Sequence, residues 1–280
     1  MRKLPIVAEI VENNGLVVLH DPISEKPLTI RAIHNIHHPD YVYAFLNGIK
    51  PLSDSQGWAW TEAIRDGVIA INAGQILGST LALRHGIAAN IAQGFHHACY
   101  SQGMGFCTFN GLALVAKEYT ELRVGILDCD DHFGNGTSDF VDRLSNLFNY
   151  TIYGQSWGSE NKVVHERKVH HCVGVRKGFD NYKQALEKGI KQLQKWKVNF
   201  VIYQAGMDAH IDDPYGTVGL TSEELRLRDR IVFQNLKALK LPVLFVLAGG
   251  YQEPIREKLA PLHVATFEEA VGVYNEKSET

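Results

Sequence analysis

Three short stretches of the chain are apolar without alternation: "RVGILDCD" (123–130), "VNFVIYQAG" (198–206) and "LPVLFVLAGG" (241–250). Runs of this length, rich in β-branched residues and ended by glycine or charge, predict strands buried on both faces, as in a parallel sheet. A weaker fourth is "GIAANIA" (86–92). Between these runs the apolar period lengthens to that of a helix. Residues 180–196 place Tyr182, Leu186, Ile190 and Leu193 on one face, with Asp180 as the expected N-cap. Thr221 and Glu224 have capping-box spacing at the head of "TSEELRLRDRIVFQNLKALK". A longer helical pattern through 59–84 carries Ile64, Val68, Ile71 and Leu77, in spite of Gly67, Gly74 and Gly78.

Strand and helix alternating in this way predict an α/β chain with a central, mostly parallel sheet and helices on both faces. Ligands of such sheets bind beyond the carboxyl ends of the strands. There the sequence turns polar or glycine-rich: "GFHHACYSQGMGFCTFN", "DDHFGNGT", "MDAHIDDPYG" and "GGYQ" follow the four runs. Four clusters should therefore meet on one rim. No repeat, low-complexity tract or Pro/Ser-rich linker divides the chain, so residues 1–280 are expected to form a single domain. Region 138–178 is the least readable, and its "HERKVHHCV" is expected to be a His-bearing strand or a solvated loop rather than a metal site.

Composition narrows the functional classes. A hydrophobic fraction of 45% can bury a substantial core. With 28 basic against 31 acidic residues, a net charge of −3 and no Lys/Arg-rich block, nucleic acid is not an expected partner. No run reaches the length of a membrane span, and charges follow the short apolar run of "MRKLPIVAEIVENNG" too soon for a signal peptide, so a soluble, cytoplasmic protein without a membrane partner is expected. Cys99, Cys107, Cys129 and Cys172 form no CxxC pair and are expected to be reduced and mostly buried.

The chemistry concentrates in "ILDCDDHFGNGT". Asp128, Asp130, Asp131 and His132 crowd into five residues at the end of an apolar strand, which is costly unless a cation compensates them. Residues two apart on a strand share a face, so Asp128, Asp130 and His132 could point together. Alone, Asp-x-His is as readily a hydrogen-bonded loop. Asp213 in "HIDDPYG" brings a carboxylate from another strand end, and Asp130, His132 and Asp213 would leave zinc one open position, as in a catalytic site. His96-His97 alone would be a loop accident or core packing; beside a metal, the pair could move protons. Gly249-Gly250-Tyr251 is either a strand stop with a packed tyrosine or a loop whose phenol donates to an oxyanion.

In this order and at these separations, "GFHHA…GFCTFN", "ILDCDDHFGNGT", "AGMDAHIDDPYG" and "GGYQ", with "IHHPDYVYAFL" near 35–46, resemble the histone deacetylase and acetylpolyamine amidohydrolase family of the arginase/deacetylase fold. The resemblance implies a three-layer α/β/α enzyme that uses one zinc ion per chain, held by Asp130, His132 and Asp213, to remove acetyl or other short acyl groups. His96 and His97 become the paired acid/base histidines, oriented by Asp128 and Asn135, and Tyr251 the transition-state phenol. Gly105, Phe106, Gly249 and Gly250 line the acyl-lysine tunnel. A structural potassium ion on the carbonyls of Asp128–His132 is also implied, and Asp131 should turn away toward solvent or a helix cap.

The expected substrate is an acetyl-lysine-containing protein or a small acylated amine. Acetylpolyamine hydrolysis is the rival activity: polyamine-preferring relatives are expected to carry glutamate seven residues past the "DP" aspartate, where this chain has Leu220. A two-manganese ureohydrolase would need a carboxylate at Gly134, and a catalytically silent binding protein of the same fold would lack a ligand or the phenol. The resemblance further implies that Met1 lies inside the family's N-terminal segment, so that either the loop of that segment is dispensable or the start is truncated and the sheet lacks an edge strand. An exposed edge predicts homo-oligomerisation or marginal solubility.

Overall fold

The computed structural model describes residues 2–154 and 166–276. Strands β1 (Ile87–Gln93), β2 (Val124–Asp128), β3 (Leu147–Tyr153), β4 (Lys168–Cys172), β5 (Phe200–Ala205) and β6 (Val243–Leu247) form one sheet. Its order is β1-β6-β5-β2-β3-β4 and every pairing is parallel. The four predicted strands are all present. β3 and β4 come from the region that periodicity left unread, because polar Asn149 and Thr151 interrupt the apolar run of β3 and two histidines occupy β4. The "HERKVHHCV" stretch is thus a His-bearing strand as far as it is described, His165 lying outside the described residues. On β4, His171 Nδ1 lies 2.9 Å from the Tyr150 hydroxyl and His170 Nε2 3.0 Å from Ser138 Oγ.

Alternate residues of the central strands feed two cores. Val124, Ile126, Phe200, Ile202, Leu244 and Val246 pack with helices Lys26–Ile36, Pro39–Asn47, Glu62–His85, Gly111–Glu118 and Asn135–Val141. Leu127, Tyr203, Val243, Phe245 and Leu247 pack with helices Lys3–Asn13, Phe179–Lys195, Ser222–Ala238 and Ala260–Asn275. Apolar demand on both faces is why these strands read as unbroken hydrophobic runs. Helix Glu62–His85 keeps its glycines for contact with the sheet: a Cβ at Gly78 would stand 2.7 Å from Leu244 Cδ1, and one at Gly74 would stand 2.5 Å from Asn90 Oδ1.

The capping box of Thr221 and Glu224 is formed, with Glu224 N donating to Thr221 Oγ1 and Thr221 N to Glu224 Oε2. Asp180 is not a cap. Gly178 holds that position of helix Phe179–Lys195 at φ +82°, leaving Asp180 in the first turn, where its charge favours the positive end of the helix. Of the cysteines, Cys107 and Cys129 are buried, Cys99 is half-buried and Cys172 is exposed, all as free thiols. No helix among the described residues is long and apolar enough to cross a membrane.

In this topology β1, β6, β5 and β2 are consecutive neighbours, and all four point the same way. Their carboxyl ends open side by side into the "GFHHA", "GGYQ", "GMDAH" and "DDHFG" segments. The sheet order itself gathers the four clusters.

Candidate active site

β2 ends at Asp128, and the chain then leaves the strand as a chain of local hydrogen bonds. Asp130 N donates to Asp128 Oδ1 over 3.2 Å and His132 N to Asp130 Oδ1 over 3.0 Å. Asp128, Asp130, Asp131 and His132 are all buried. Ligand atoms of Asp130, His132 and Asp208 lie within 4.8 Å of one another. His132 Nδ1 is 2.9 Å from Asp208 Oδ2 and 3.2 Å from Asp130 Oδ1, a convergence of donor atoms suited to a shared cation.

The third carboxylate of this group is Asp208, not Asp213. Asp208 follows the end of β5 by three residues and is fully buried. Asp213 lies farther along the loop and spends its oxygens on backbone: Oδ1 accepts from Tyr215 N at 3.0 Å and Oδ2 from Tyr251 N at 2.8 Å. Its role here is to tie the "DPYG" turn to the loop bearing Tyr251. Asp131 departs from expectation as well. It is buried, and it accepts from Thr217 N, Thr217 Oγ1 and Val218 N, so its carboxylate organises that same turn instead of facing solvent.

The backbone of "AGGY" closes over the carboxylates. Gly249 N donates to Asp130 Oδ2 over 2.7 Å, and Met207 N donates to Gly249 O. A Cβ at Gly249 would stand 2.0 Å from Asp208 Oδ2 and 2.8 Å from Asp130 Oδ2, so only glycine lets the β6 loop approach this closely. From the other side, Lys3 is buried and donates through Nζ to Ala248 O, with Gly250 O at 3.5 Å. Burial pulls its pKa down to about 8, against the opposing pull of Asp208, Asp130 and Asp213.

The two histidines have different partners. His96 Nδ1 donates to Asp128 Oδ2 over 2.8 Å, and its Nε2 lies 3.7 Å from Asp130 Oδ1. Burial disfavours its charge, but Asp128 and Asp130 outweigh that and hold its pKa up at about 9. His97 Nδ1 donates to Asn135 Oδ1 over 2.7 Å; the Asn135 amide is oriented by Nδ2 donating to Cys99 Sγ at 3.4 Å. Burial and the neighbouring His96 lower the His97 pKa to about 3. The ring centroids are 4.0 Å apart. One imidazole is thus stabilised as a cation and the other as a neutral base.

An inner cleft of about 20 Å³ is lined by His96, His97, Gly105, Asp130, Gly249 and Tyr251, among others. Outside it lies a pocket of about 350 Å³ with Trp58, Phe106, Tyr215 and Tyr251 as aromatic walls and Arg2, Lys3 and Glu253 as its charged groups, Arg2 pairing with Glu253. Phe106 meets Trp58 at a tilt of 48° with centroids 5.0 Å apart, and Tyr215 meets Tyr251 edge-on at 5.0 Å. Gly105, at φ +54°, leaves the space beside His97: a Cβ there would be 2.6 Å from His97 Cδ2. Gly250 lines the outer pocket. Leu220 does not. It is fully buried in the core, its N–H donating to Ala209 O, and the aromatic residue presented at the mouth from that loop is Tyr215.

Residues 1–267 match the Histone deacetylase domain profile. The chain belongs to that family. Among the relatives of this histone deacetylase domain, an uncharacterised protein of Picosynechococcus is 30% identical over 251 residues, covering 86% of this chain and 82% of its own length. Histone deacetylase 2 of Arabidopsis thaliana is 30% identical over 64% of this chain, and acetylpolyamine amidohydrolase 2 of Pseudomonas aeruginosa is 32% identical over 56%; each match spans 48% of the relative. The fold of a Burkholderia pseudomallei acetylpolyamine aminohydrolase superposes with a TM-score of 0.77 at 16% identity, covering 97% of this chain and 90% of that one. The deacetylase-domain chain therefore has the arginase/deacetylase-like three-layer architecture that its motifs imply.

Asp208, Gln204 and Trp58 are among the site residues that the sequence reading did not single out. Asp208 sits in "AGMD", directly past an apolar strand, and that position was the signal available. Gln204 on β5 stands in register with Asp128 and donates Nε2 to Asp128 Oδ1 over 3.0 Å. Trp58 comes from "SDSQGWAW", which carries no periodic pattern.

Proposed function

We propose that the chain is a zinc-dependent amidohydrolase that removes acetyl groups from acyl-lysine side chains or similar acyl-amines. The observation that carries this reading is the meeting of one cation-competent group with two histidines of opposite protonation bias and a tyrosine in a single cleft. The donor set fits the metal: two carboxylates and an imidazole leave zinc an open position. The surplus of buried negative charge also fits, since burial and Asp130 push the Asp208 carboxyl up to about 8, and a divalent cation would relieve it. Asp130, His132 and Asp208 would hold the zinc ion, which when bound would supply Lewis-acid polarisation of the amide carbonyl and of a neighbouring water.

The protein groups do the rest. His97, neutral and with Nδ1–H fixed on Asn135, keeps its basic lone pair on Nε2 and accepts the proton of the attacking water. Delivering that proton to the departing amine lets the C–N bond break. His96, its Nδ1–H fixed on Asp128, stands beside His97 in the cleft, and the Tyr251 phenol donates to the oxyanion. Gln204 occupies the second oxygen of Asp128, leaving Oδ2 for His96.

A monovalent cation site on the Asp128–His132 segment is part of the proposal. Thr151, in register with Asp128, is fully buried, its hydroxyl without a partner among the described residues, and a potassium ion shared with those carbonyls would give it one. A glycine at 134, whose Cβ would fall 2.6 Å from Asp128 Oδ2, leaves no room for a second metal's carboxylate.

Tyr251→Phe is expected to lower turnover of acetyl-lysine peptides at least a hundredfold, about 3 kcal/mol for one oxyanion donor, with bound zinc unchanged. Near-normal turnover would remove Tyr251 from the mechanism; zinc-loaded wild type inactive on acetyl-lysine and acetylpolyamine alike would favour a binding protein.

A further inference from the structure

Among the described residues, the largest fully buried side chain is a charged one, Arg228 on helix Ser222–Ala238. Its guanidinium is divided between two tasks. Nε donates to Asp229 Oδ1 over 2.8 Å, and Nη1 donates to Gly206 O over 2.6 Å, with Cys129 O at the longer distance of 3.5 Å. Asp229 is itself held, accepting from the Tyr203 hydroxyl on Oδ1 and from Thr266 Oγ1 on Oδ2 at 2.6 Å. The remaining nitrogen, Nη2, has no partner among the described residues. A buried ion pair left with an unsatisfied donor is a weak source of stability, because desolvation of the charges offsets their attraction. The carbonyls it reaches, however, belong to the candidate site.

Cys129 lies between Asp128 and Asp130, and Gly206 lies two residues before Asp208. These are the two segments that bring Asp130, His132 and Asp208 together. Strands β2 and β5 hold register as far as Asp128 opposite Gln204, with Cys129 N still donating to Gln204 O at 3.0 Å. Beyond that point both segments leave the strands, yet they stay close: a Cβ at Gly206 would stand 2.6 Å from Asp130 Cα and 3.1 Å from Cys129 O. Arg228 reaches both carbonyls there from a third element. A guanidinium is planar, stays charged and offers its donors in a fixed fork, so it can hold a spacing that a flexible ammonium would not.

We infer that Arg228 is a positioning residue for the candidate metal group: by bridging Cys129 O and Gly206 O, it sets the distance between the turn carrying Asp130 and His132 and the turn carrying Asp208. The inference rests on the amidohydrolase reading of that group. Arg228 acts on the backbone that carries the ligands and takes no part in bond breaking.

The test uses the whole chain as wild type, Arg228→Lys, Arg228→Met combined with Asp229→Asn, and Thr266→Val. The double variant removes both charges of the pair, so neither is left buried alone. Arg228→Lys keeps the charge and loses the fork, and Thr266→Val loosens Asp229 while leaving Arg228 in place. Zinc affinity is read by competition with a chromophoric chelator, ligand geometry by the visible absorption of the cobalt(II) form, and the fold by urea unfolding without metal. Both Arg228 variants should bind zinc roughly tenfold or more weakly, as loss of a group that orients metal ligands typically does, and should shift the cobalt bands. Thr266→Val should match wild type on both counts, whatever its unfolding midpoint. A folded Arg228 variant of either kind with wild-type zinc affinity and cobalt spectrum would overturn the assignment. So would zinc affinity that falls with the unfolding midpoint across all the variants, Thr266→Val included, which is what a merely structural role predicts.

Hydrogen exchange of metal-free wild type gives a check that needs no variant. The amides of Asp130, Asp131 and His132 donate to Asp128, Asp208 and Asp130, and they should stay protected without zinc. Exchange as fast as in an unstructured peptide would mean that the metal arranges these turns, and would overturn the assignment. Zinc binding that depends on Arg228, without turnover of any acyl-amine, would defeat the amidohydrolase reading alone; wild type that takes up neither zinc nor cobalt would defeat both.

Discussion

Two aspartates of one loop, five residues apart, do different work. Asp208 faces Asp130 and His132 with a fully buried carboxylate, while Asp213 ties the loop backbone to Tyr251. Asp208→Asn is therefore expected to abolish stoichiometric zinc binding, measured by metal analysis after dialysis. Asp213→Asn should retain zinc and lower kcat, because the Tyr251 loop loses an anchor; the opposite pattern would restore Asp213 as the ligand. The sequence showed that an aspartate from this loop should join Asp130 and His132. It named Asp213 where the group is completed by Asp208, since both follow the same strand and only the path of the loop decides whose oxygens arrive. Leu220 was misread for the same reason: its distance along the chain from Asp213 says nothing about which way the turn carries it.

Helix Lys26–Ile36 ends at His37, whose ring ties it to the site's scaffold. Nδ1 lies 3.1 Å from Cys99 O and 3.2 Å from Tyr100 O, and Nε2 accepts from Asn110 N at 3.1 Å. Burial holds the ring neutral, lowering its pKa to about 4. The unfolded chain takes up that proton near its ordinary 6.5, so the unfolded state binds more protons between these values and stability falls as pH drops from about 6.5 to 4. The full loss for one such group is about 3 kcal/mol. Urea unfolding at pH 7 and pH 5 should show part of this loss in wild type and less of it in His37→Gln; equal slopes would rule out His37 as the sensor. Elements with a clear period, such as Glu62–His85 and Ser222–Ala238, were legible. β3 and β4 were not, because their polar residues find partners only in the folded sheet.

At the scale of the whole molecule, β1 is an edge strand among the described residues, its side chains mostly half-buried, and the exposed Val18 and Leu19 line a pocket with it. Unpaired backbone groups flanked by apolar side chains favour strand-to-strand association. Concentration-dependent self-association in sedimentation velocity is expected, and a single monomeric boundary at every concentration would refute it. The sequence by itself determined the layered α/β class, the four strand ends that carry chemistry and the residue types gathered there, because local periodicity and turn chemistry are written residue by residue. Only the tertiary structure decided that Asp208 completes the group, that Tyr215 frames the entrance, and that Asp131 is an internal clamp. Those outcomes depend on how four loops from neighbouring parallel strands pack against one another, and that packing is a property of no single segment.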